Sequence, residues 1–439
     1  MMEEHDGSKG EEAVSIKEAE TPQGVSSAGE ESQAEEDETW PHPNVPRTEG
    51  TTIDCGEAEE QMAGVAALGG DSVWLFEDGG CTYAGNVIPK AGRGYVRCEC
   101  AIGGASGIGY PGIVVPSARV RTLLRASRGG SDVRISRSGS SGAGDGIILW
   151  SDESWHEIRG VLRRAEVMAE RYRTKDENLE VWGSLNLQEM NDRLRLCKAI
   201  LSRPREGQEW GRVEFYKQGF MTVKNEQHFA KIPYDGKLTT DLSLDIRVLV
   251  SALRMRAGQV FVTGQMNSEA SAVVADVISQ HGIIRIVEVG PEIQYRVDGT
   301  VAYDHGEDTM VCRGTMEDGL VVAQGARMLN ATIPRRSVVD VDLSGKDDAL
   351  ALSCSHREKG MRAGSSYSLE ESSGEGKISV NVLKLGALAR TMNGKTNIEM
   401  YGCGETADYL VFESSGAYGV IFGEMRMRQD LQAKQLRLA

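Results

Sequence analysis

The sequence predicts an α+β fold made of three repeats, and three observations carry that prediction. Segments 112–136, 242–264 and 378–402 share one order of features: a short β-branched strand, a break, about ten residues at helical spacing, a Gly-containing turn and an alternating strand. A second stretch of helical spacing lies about sixty residues before each of them. With 26% charged and 40% hydrophobic residues in 439, the composition is that of a mostly globular chain long enough for several domains.

Taken in order, the chain begins with an acidic head. Residues 1–50 hold 14 Asp/Glu against Lys9, Lys17 and Arg47, a balance of −11, so residues 51–439 carry only −5 of the net −16. A Glu/Ser-rich stretch with so few apolar residues does not offset its ordering entropy, and 1–50 is expected to be a disordered tail. Unit one, 51–151, starts with the helix GEAEEQMAGVAALGG (56–70). It continues to GIVVPSARVRTLLRASRGGSDVRIS (112–136), and the run RSGSSGAGDG (137–146) reads as a flexible turn between strands.

Residues 152–180 break the repeat. HEIRGVLRRAEVMAERYRTK (156–175) is amphipathic, with Arg159, Arg163, Arg164, Arg171 and Arg173 at mostly helical intervals, and predicts an inserted basic helix. Unit two, 181–300, has the helix NLQEMNDRLRLCKAIL (186–201), the strand pair GRVEFYKQGFMTVKN (211–225) and LSLDIRVLVSALRMRAGQVFVTG (242–264). Unit three, 301–428, has DGLVVAQGARMLNAT (318–332), VDVDLSGKDDALALSCS (339–355) and ISVNVLKLGALARTMNGKTNIEMYG (378–402), leaving 429–439 as a tail. Aligning Pro116, Asp245 and Asn381 as helix starts puts Arg125, Arg254 and Arg390 at one offset of nine.

Composition and motifs exclude several functions. No apolar run reaches the ~18 residues of a membrane span, and the acidic start lacks a secretory h-region. The eight cysteines include no CxxC pair and there is no HExxH, so neither zinc nor a disulfide framework is expected, and a reducing compartment fits. Ala389-x4-Gly394-Lys395-Thr396 is a relaxed phosphate-loop match, but a helix precedes it and a strand follows, the reverse of what a phosphate cradle needs. The glycines of IGGASGIGYPG (102–112) lead into a strand rather than a helix. No catalytic set stands out at a recognisable spacing. A P-loop hydrolase on Gly394-Lys395-Thr396 is the remaining enzyme hypothesis.

The order of these segments resembles the bacterial-type β sliding clamp, the DNA polymerase III β subunit that acts as processivity factor. The resemblance covers about residues 51–428. It is carried by NLQEMNDRLRLCKAIL entered from VWGSL (181–185), by MTVKNEQHFAKI (221–232), and by the closing segment through DYLVFES to AYGVIFGEMRM (417–427). It implies three DNA-clamp domains per chain, each with two helices packed on antiparallel sheets, and a head-to-tail homodimer closing into a ring. It further implies a non-enzymatic protein without cofactor or metal that encircles duplex DNA without sequence preference. Such a clamp tethers a replicative polymerase and is opened by an ATP-dependent clamp loader, in the cytoplasm of a bacterium or of a phage's host.

Lining helices of such a ring would meet phosphates through Arg119, Arg121, Arg125, Arg193, Arg195, Lys198, Arg247, Arg254, Arg256, Arg327, Lys384 and Arg390. The family's partner-peptide pocket maps onto His228, Phe229, Ile421 and Met425. Phe229 stands where the family has Arg, and Gly423-Glu424-Met425-Arg426-Met427 lacks the first Met and the Pro of the family's closing motif. These departures, with the acidic head and basic insert, suggest a divergent, phage-encoded form. The alternative function is a clamp-like scaffold that no longer encircles DNA. The end QLRLA (435–439) resembles the docking peptides of clamp partners.

Overall fold

The structure is a computed structural model that describes residues 50–424, apart from 91–93, 128–132, 139–144, 152–153, 172–178, 189, 202–210, 226–227, 267–270, 292–294, 333–337, 357–360 and 403–406. The acidic head, Met425, the QLRLA end and part of the Gly/Ser turn lie outside the described residues.

Helices alternate with triplets of strands. The first repeat has β1 (Thr51–Ile53), α1 (Cys55–Ala67), β2 (Ser72–Asp78), β3 (Cys81–Pro89) and β4 (Tyr95–Gly104). The same order then recurs as β5 (Ile113–Pro116), α2 (Ser117–Ala126), β6 (Val133–Ser138), β7 (Gly146–Trp150) and β8 (Trp155–Arg159). After α3 (Leu162–Arg171), the second repeat has β9 (Glu180–Asn186), α4 (Asn191–Leu201), β10 (Arg212–Tyr216), β11 (Phe220–Lys224), β12 (His228–Pro233) and a short β13 (Gly236–Leu238). It closes with β14 (Leu242–Asp245), α5 (Ile246–Arg254), β15 (Gln259–Gln265), β16 (Ser271–Ser279) and β17 (Gly282–Gly290). The third has β18 (Thr309–Met316), α6 (Leu320–Thr332), β19 (Val338–Ser344), β20 (Ala349–His356), β21 (Met361–Ser368) and a short β22 (Glu371–Ser373). It ends with β23 (Glu375–Asn381), α7 (Val382–Ala389), β24 (Thr396–Gly402), β25 (Tyr409–Ser414) and β26 (Ala417–Phe422).

The aligned helix starts are real caps. Asp245 accepts from the Arg247 N–H and Asn381 from those of Leu383 and Lys384, while Pro116 fixes the entry to α2 without a side-chain cap. The expectation of one basic helix over 156–175 is corrected. Trp155–Arg159 is a strand that pairs with β7, Ile158 opposite Ile147, and the helix begins only at Leu162. Gly160 separates the two because a Cβ there would strike Ile113. Ala165, Met168 and Ala169 then bury against Trp74, Phe76 and Val114, which seats α3 on the strands of repeat one.

Strand pairing is antiparallel throughout and joins the repeats. One nine-stranded sheet runs β13-β9-β15-β16-β17-β4-β3-β2-β5, and the other runs β14-β10-β11-β12-β26-β25-β24-β18-β22. At both internal junctions the last strand of a repeat's first half pairs with the last strand of the next repeat's second half. These pairs are β4 with β17 and β12 with β26. Four-stranded sheets remain at the ends, β1-β6-β7-β8 and β21-β20-β19-β23.

The helices form one row: α2 packs on α1, α1 on α5, α5 on α4, α4 on α7 and α7 on α6. Gly64 permits the α1–α5 contact, since a Cβ there would run into Ile284 and Met255. A single apolar core runs through all three repeats beneath this row, from Ile53 to Ile421. No helix among the described residues is long and apolar enough to cross a membrane.

Candidate nucleic-acid interface and repeat junctions

The six helices of the row carry ten Lys/Arg and four Asp/Glu. Their distribution is uneven, because α1 has Glu57, Glu59 and Glu60 and no cation while α2 has three arginines. Arg119, Arg195, Lys198, Arg254, Arg256 and Arg327 are exposed, and Arg193 is half-buried. Arg256 stands just past α5 with φ 51°, a conformation that turns the chain out of the helix. Arg121 and Lys198 share the wall of a cavity of about 480 Å³ among α1, α2, α4 and α5.

The three arginines at the offset of nine occupy equivalent helix C-termini, where a cation also offsets the carbonyl end of the helix dipole. Two of them are ion-paired. Arg125 and Arg121 both reach Glu59 Oε1, at 2.8 and 3.1 Å, and Arg390 comes within 3.9 Å of Asp192, which Arg195 approaches at 3.5 Å.

Two expected phosphate ligands are misplaced. Arg247 is 3% exposed and folds back on its own helix cap, with Nε and Nη2 on the Asp245 carboxylate at 2.9 and 2.6 Å. It sits at the start of α5, where the helix meets the core rather than solvent. Lys384 is half-buried and points at β12, its Nζ 2.6 Å from His228 Nε2.

The β4–β17 junction holds a buried charge cluster that sequence reasoning missed. Lys90, at the end of β3, reaches Asp245 at 3.2 Å and also contacts Glu288 on β17, which Arg212 meets as well. Arg212 further donates to the Ser243 hydroxyl and carbonyl and stacks 5.3 Å from the centre of the Tyr295 ring. Arg247, with Lys90, holds the Asp245 carboxyl below the usual carboxylate range despite its burial.

The β12–β26 junction brings three of the expected pocket residues together. His228 lies opposite Ile421 and Phe229 opposite Val420. His228 and Ile421 are core residues, 2% and 1% exposed, because both face inward under α7; Phe229 faces the other side among Tyr409, Val411 and Phe422. The Phe422 N–H donates to His228 Nδ1 at 3.3 Å, so the ring proton sits on Nε2. On its other side the ring lies against Lys384, Nε2 2.6 Å from Nζ. Burial and the neighbouring Lys384 push the His228 imidazole down to about 3, and burial pulls Lys384 down as well. Outside the sheet, His305 stacks on Tyr401 and Tyr409, with hydroxyls of Tyr409 and Tyr418 on its two nitrogens at 2.9 and 3.1 Å.

The two tempting glycine motifs have structural roles. Gly394, with φ 76°, turns the chain after α7, Thr396 Oγ1 donates to the Gly394 carbonyl, and Lys395 pairs with Glu370 at 2.9 Å. The 102–112 loop wraps its N–H groups around a carboxylate of the protein itself. Ser106, Gly107 and Gly109 donate to Glu77 Oε2 at 3.3, 3.0 and 3.5 Å. Among the described residues no group of three or more His, Cys, Asp or Glu is placed to hold a metal.

No known family's sequence model matches the chain, and no curated protein does. Solved structures do match. The Helicobacter pylori β clamp bound to a DNA ligase peptide aligns with 85% of this chain and 99% of its own, at a TM-score of 0.54 and 8% identity. The DNA polymerase sliding clamp of Bacillus subtilis aligns with 85% and 98% at 0.54 and 11%. The DNA polymerase III β subunit of Borrelia burgdorferi aligns with 85% and 99% at 0.57 and 8%. The chain has the fold of these bacterial β clamps in a divergent sequence.

Proposed function

We propose that this chain is a DNA sliding clamp without catalytic activity, three clamp domains (51–151, 181–300 and 301–428) that close head-to-tail with a second copy around duplex DNA. Strand pairing is the observation that carries this reading. Each internal junction joins the end of one repeat's first half to the end of the next repeat's second half. The strands left over, β21 and β8, are of those same two kinds and, among the described residues, pair only with β20 and β7. Edge strands of this kind call for a partner. Trp155 on β8, 41% exposed, borders a groove of about 550 Å³ against α2, and Met328 on α6 is 66% exposed at the other end of the helix row. A second copy would bring α6 to α2 as α5 is brought to α1. The helix row then faces the DNA through its exposed Arg and Lys side chains, which attract the phosphates without reading sequence. A replicative polymerase and an ATP-driven loader in the cytoplasm complete the proposal.

The burial of His228 and Ile421 favours the second reading, a clamp-like scaffold, because it leaves the implied peptide pocket closed. Light scattering on the full chain, with retention on nicked circular and linear DNA after loading, separates the two. A clamp runs as a dimer, stays on circles and slips off linear ends. Glu substitutions at Lys198, Arg254 and Arg256 are expected to cut retention on circles about tenfold with the dimer mass unchanged. A monomer with equal loss from both DNAs would leave the scaffold.

A further inference from the structure

We infer that Glu59 is a positioning residue that restrains Arg121 and Arg125 and keeps the helix row a loose surface for DNA. The inference rests on the sliding-clamp reading and adds to it how firmly the row grips phosphates.

Glu59 is 5% exposed on α1, yet one of its oxygens takes two of the three guanidiniums of α2. The arrangement is not a symmetric exchange of charge. Two cations converge on one carboxylate oxygen, and Arg125 keeps a side chain that is 62% exposed. Arg121 retains a buried Nε without a hydrogen-bond partner among the described residues. The two arginines hold the Glu59 carboxyl ionised below its ordinary range despite burial, so its charge is present wherever DNA binding is measured near neutrality.

A looser, exposed form of the arrangement recurs at α4. Asp192 on α4 presents one oxygen to Arg195 and to Arg390 of α7. The first helix of a repeat therefore supplies an acid to the arginine at the C-terminus of a neighbouring helix in two places. A phosphate meeting Arg125 has to share the guanidinium with Glu59 and meets the repulsion of the carboxylate as well. Sliding needs contacts that form and break easily, and a row of unrestrained arginines would release more counterions and bind more tightly.

Full-length Glu59→Gln tests this by fluorescence anisotropy on a short linear duplex from 50 to 200 mM salt, with wild type alongside. Binding about three- to tenfold tighter at low salt, and a salt dependence steeper by about one to two phosphates, is the expected result. Affinity and salt slope equal to wild type, or weaker binding, in a variant that folds would overturn the inference. A merely structural Glu59 would alter melting without moving the slope. If Glu59→Gln unfolds because Arg121 is stranded, Glu59→Gln with Arg121→Met, compared against Arg121→Met alone, makes the same comparison with Arg125 reporting. Failure of the clamp reading looks different: wild type and variant alike would then show no binding to the duplex at any salt.

Discussion

At the β4–β17 junction, repeats one and two meet around buried ion pairs; at β12–β26, repeats two and three meet around a histidine and a lysine whose charged forms burial disfavours. The topology is the same. In the first, Lys90 crosses from repeat one to Asp245 and Glu288 of repeat two, and Arg212 completes the cluster. In the second, Lys384 crosses back to His228, while an aromatic stack of His305, Tyr401, Tyr409 and Phe422 covers the outside. Backbone pairing fixes how repeats join, and side chains from distant segments decide what each joint tolerates. The charged joint resists salt because its partners are buried, but it fails when one partner is lost. The histidine–lysine joint responds instead to protons.

The sharpest way to break that contrast is Glu288→Gln. It leaves Lys90 and Arg212 near each other with one carboxylate gone, and the loss expected for a broken buried ion pair is about 3–5 kcal/mol. Urea denaturation of the full chain measures it. A loss under about 1 kcal/mol would mean that the cluster is solvated and that the two junctions do not differ as described.

What the sequence made legible was the local part. Helix starts at Pro116, Asp245 and Asn381 follow from cap chemistry and alternation over ten to twenty residues, and the structure has them as caps. Arg247 was misread because a buried arginine and a solvated one have the same spacing; Asp245, two residues earlier, was the available signal. Residues 156–159 read as helix in the sequence because exposed side chains on an edge strand hide the alternation of Trp155–Arg159. The junction partners were out of reach of any pattern, since Lys90 and Glu288 are 198 residues apart and His228 and Lys384 are 156 apart.

Protons provide the next test. The His228 imidazole titrates near 3 in the folded chain and near its ordinary 6.5 when unfolded, so between those values the unfolded state binds the extra proton. Its contribution is complete above pH 6.5 and is lost as pH falls toward 3, at up to about 1.4 kcal/mol per pH unit. In His228→Gln that part of the slope should vanish, read as the difference in urea midpoint between variant and wild type from pH 7 to 4. Parallel curves would mean that His228 is reached by solvent and titrates normally.

The smallest effect expected is also the one with the less obvious sign. Lys384→Met removes a half-buried amine whose folded-state proton affinity is depressed by burial, so folding the wild type works against an ammonium charge that the variant never carries. Stability should rise by about 1 kcal/mol at pH 7, and the gain should shrink as pH rises toward the ordinary lysine range, where the unfolded amine also loses its proton. A Lys384 ammonium donating to His228 would give the reverse: Met at this position would lower stability, and the loss would grow on moving down from alkaline to neutral pH. The two outcomes have opposite signs at the same pH, so one pair of denaturation curves at pH 7 distinguishes an amine whose charge burial disfavours from one whose charge the contact with His228 stabilises.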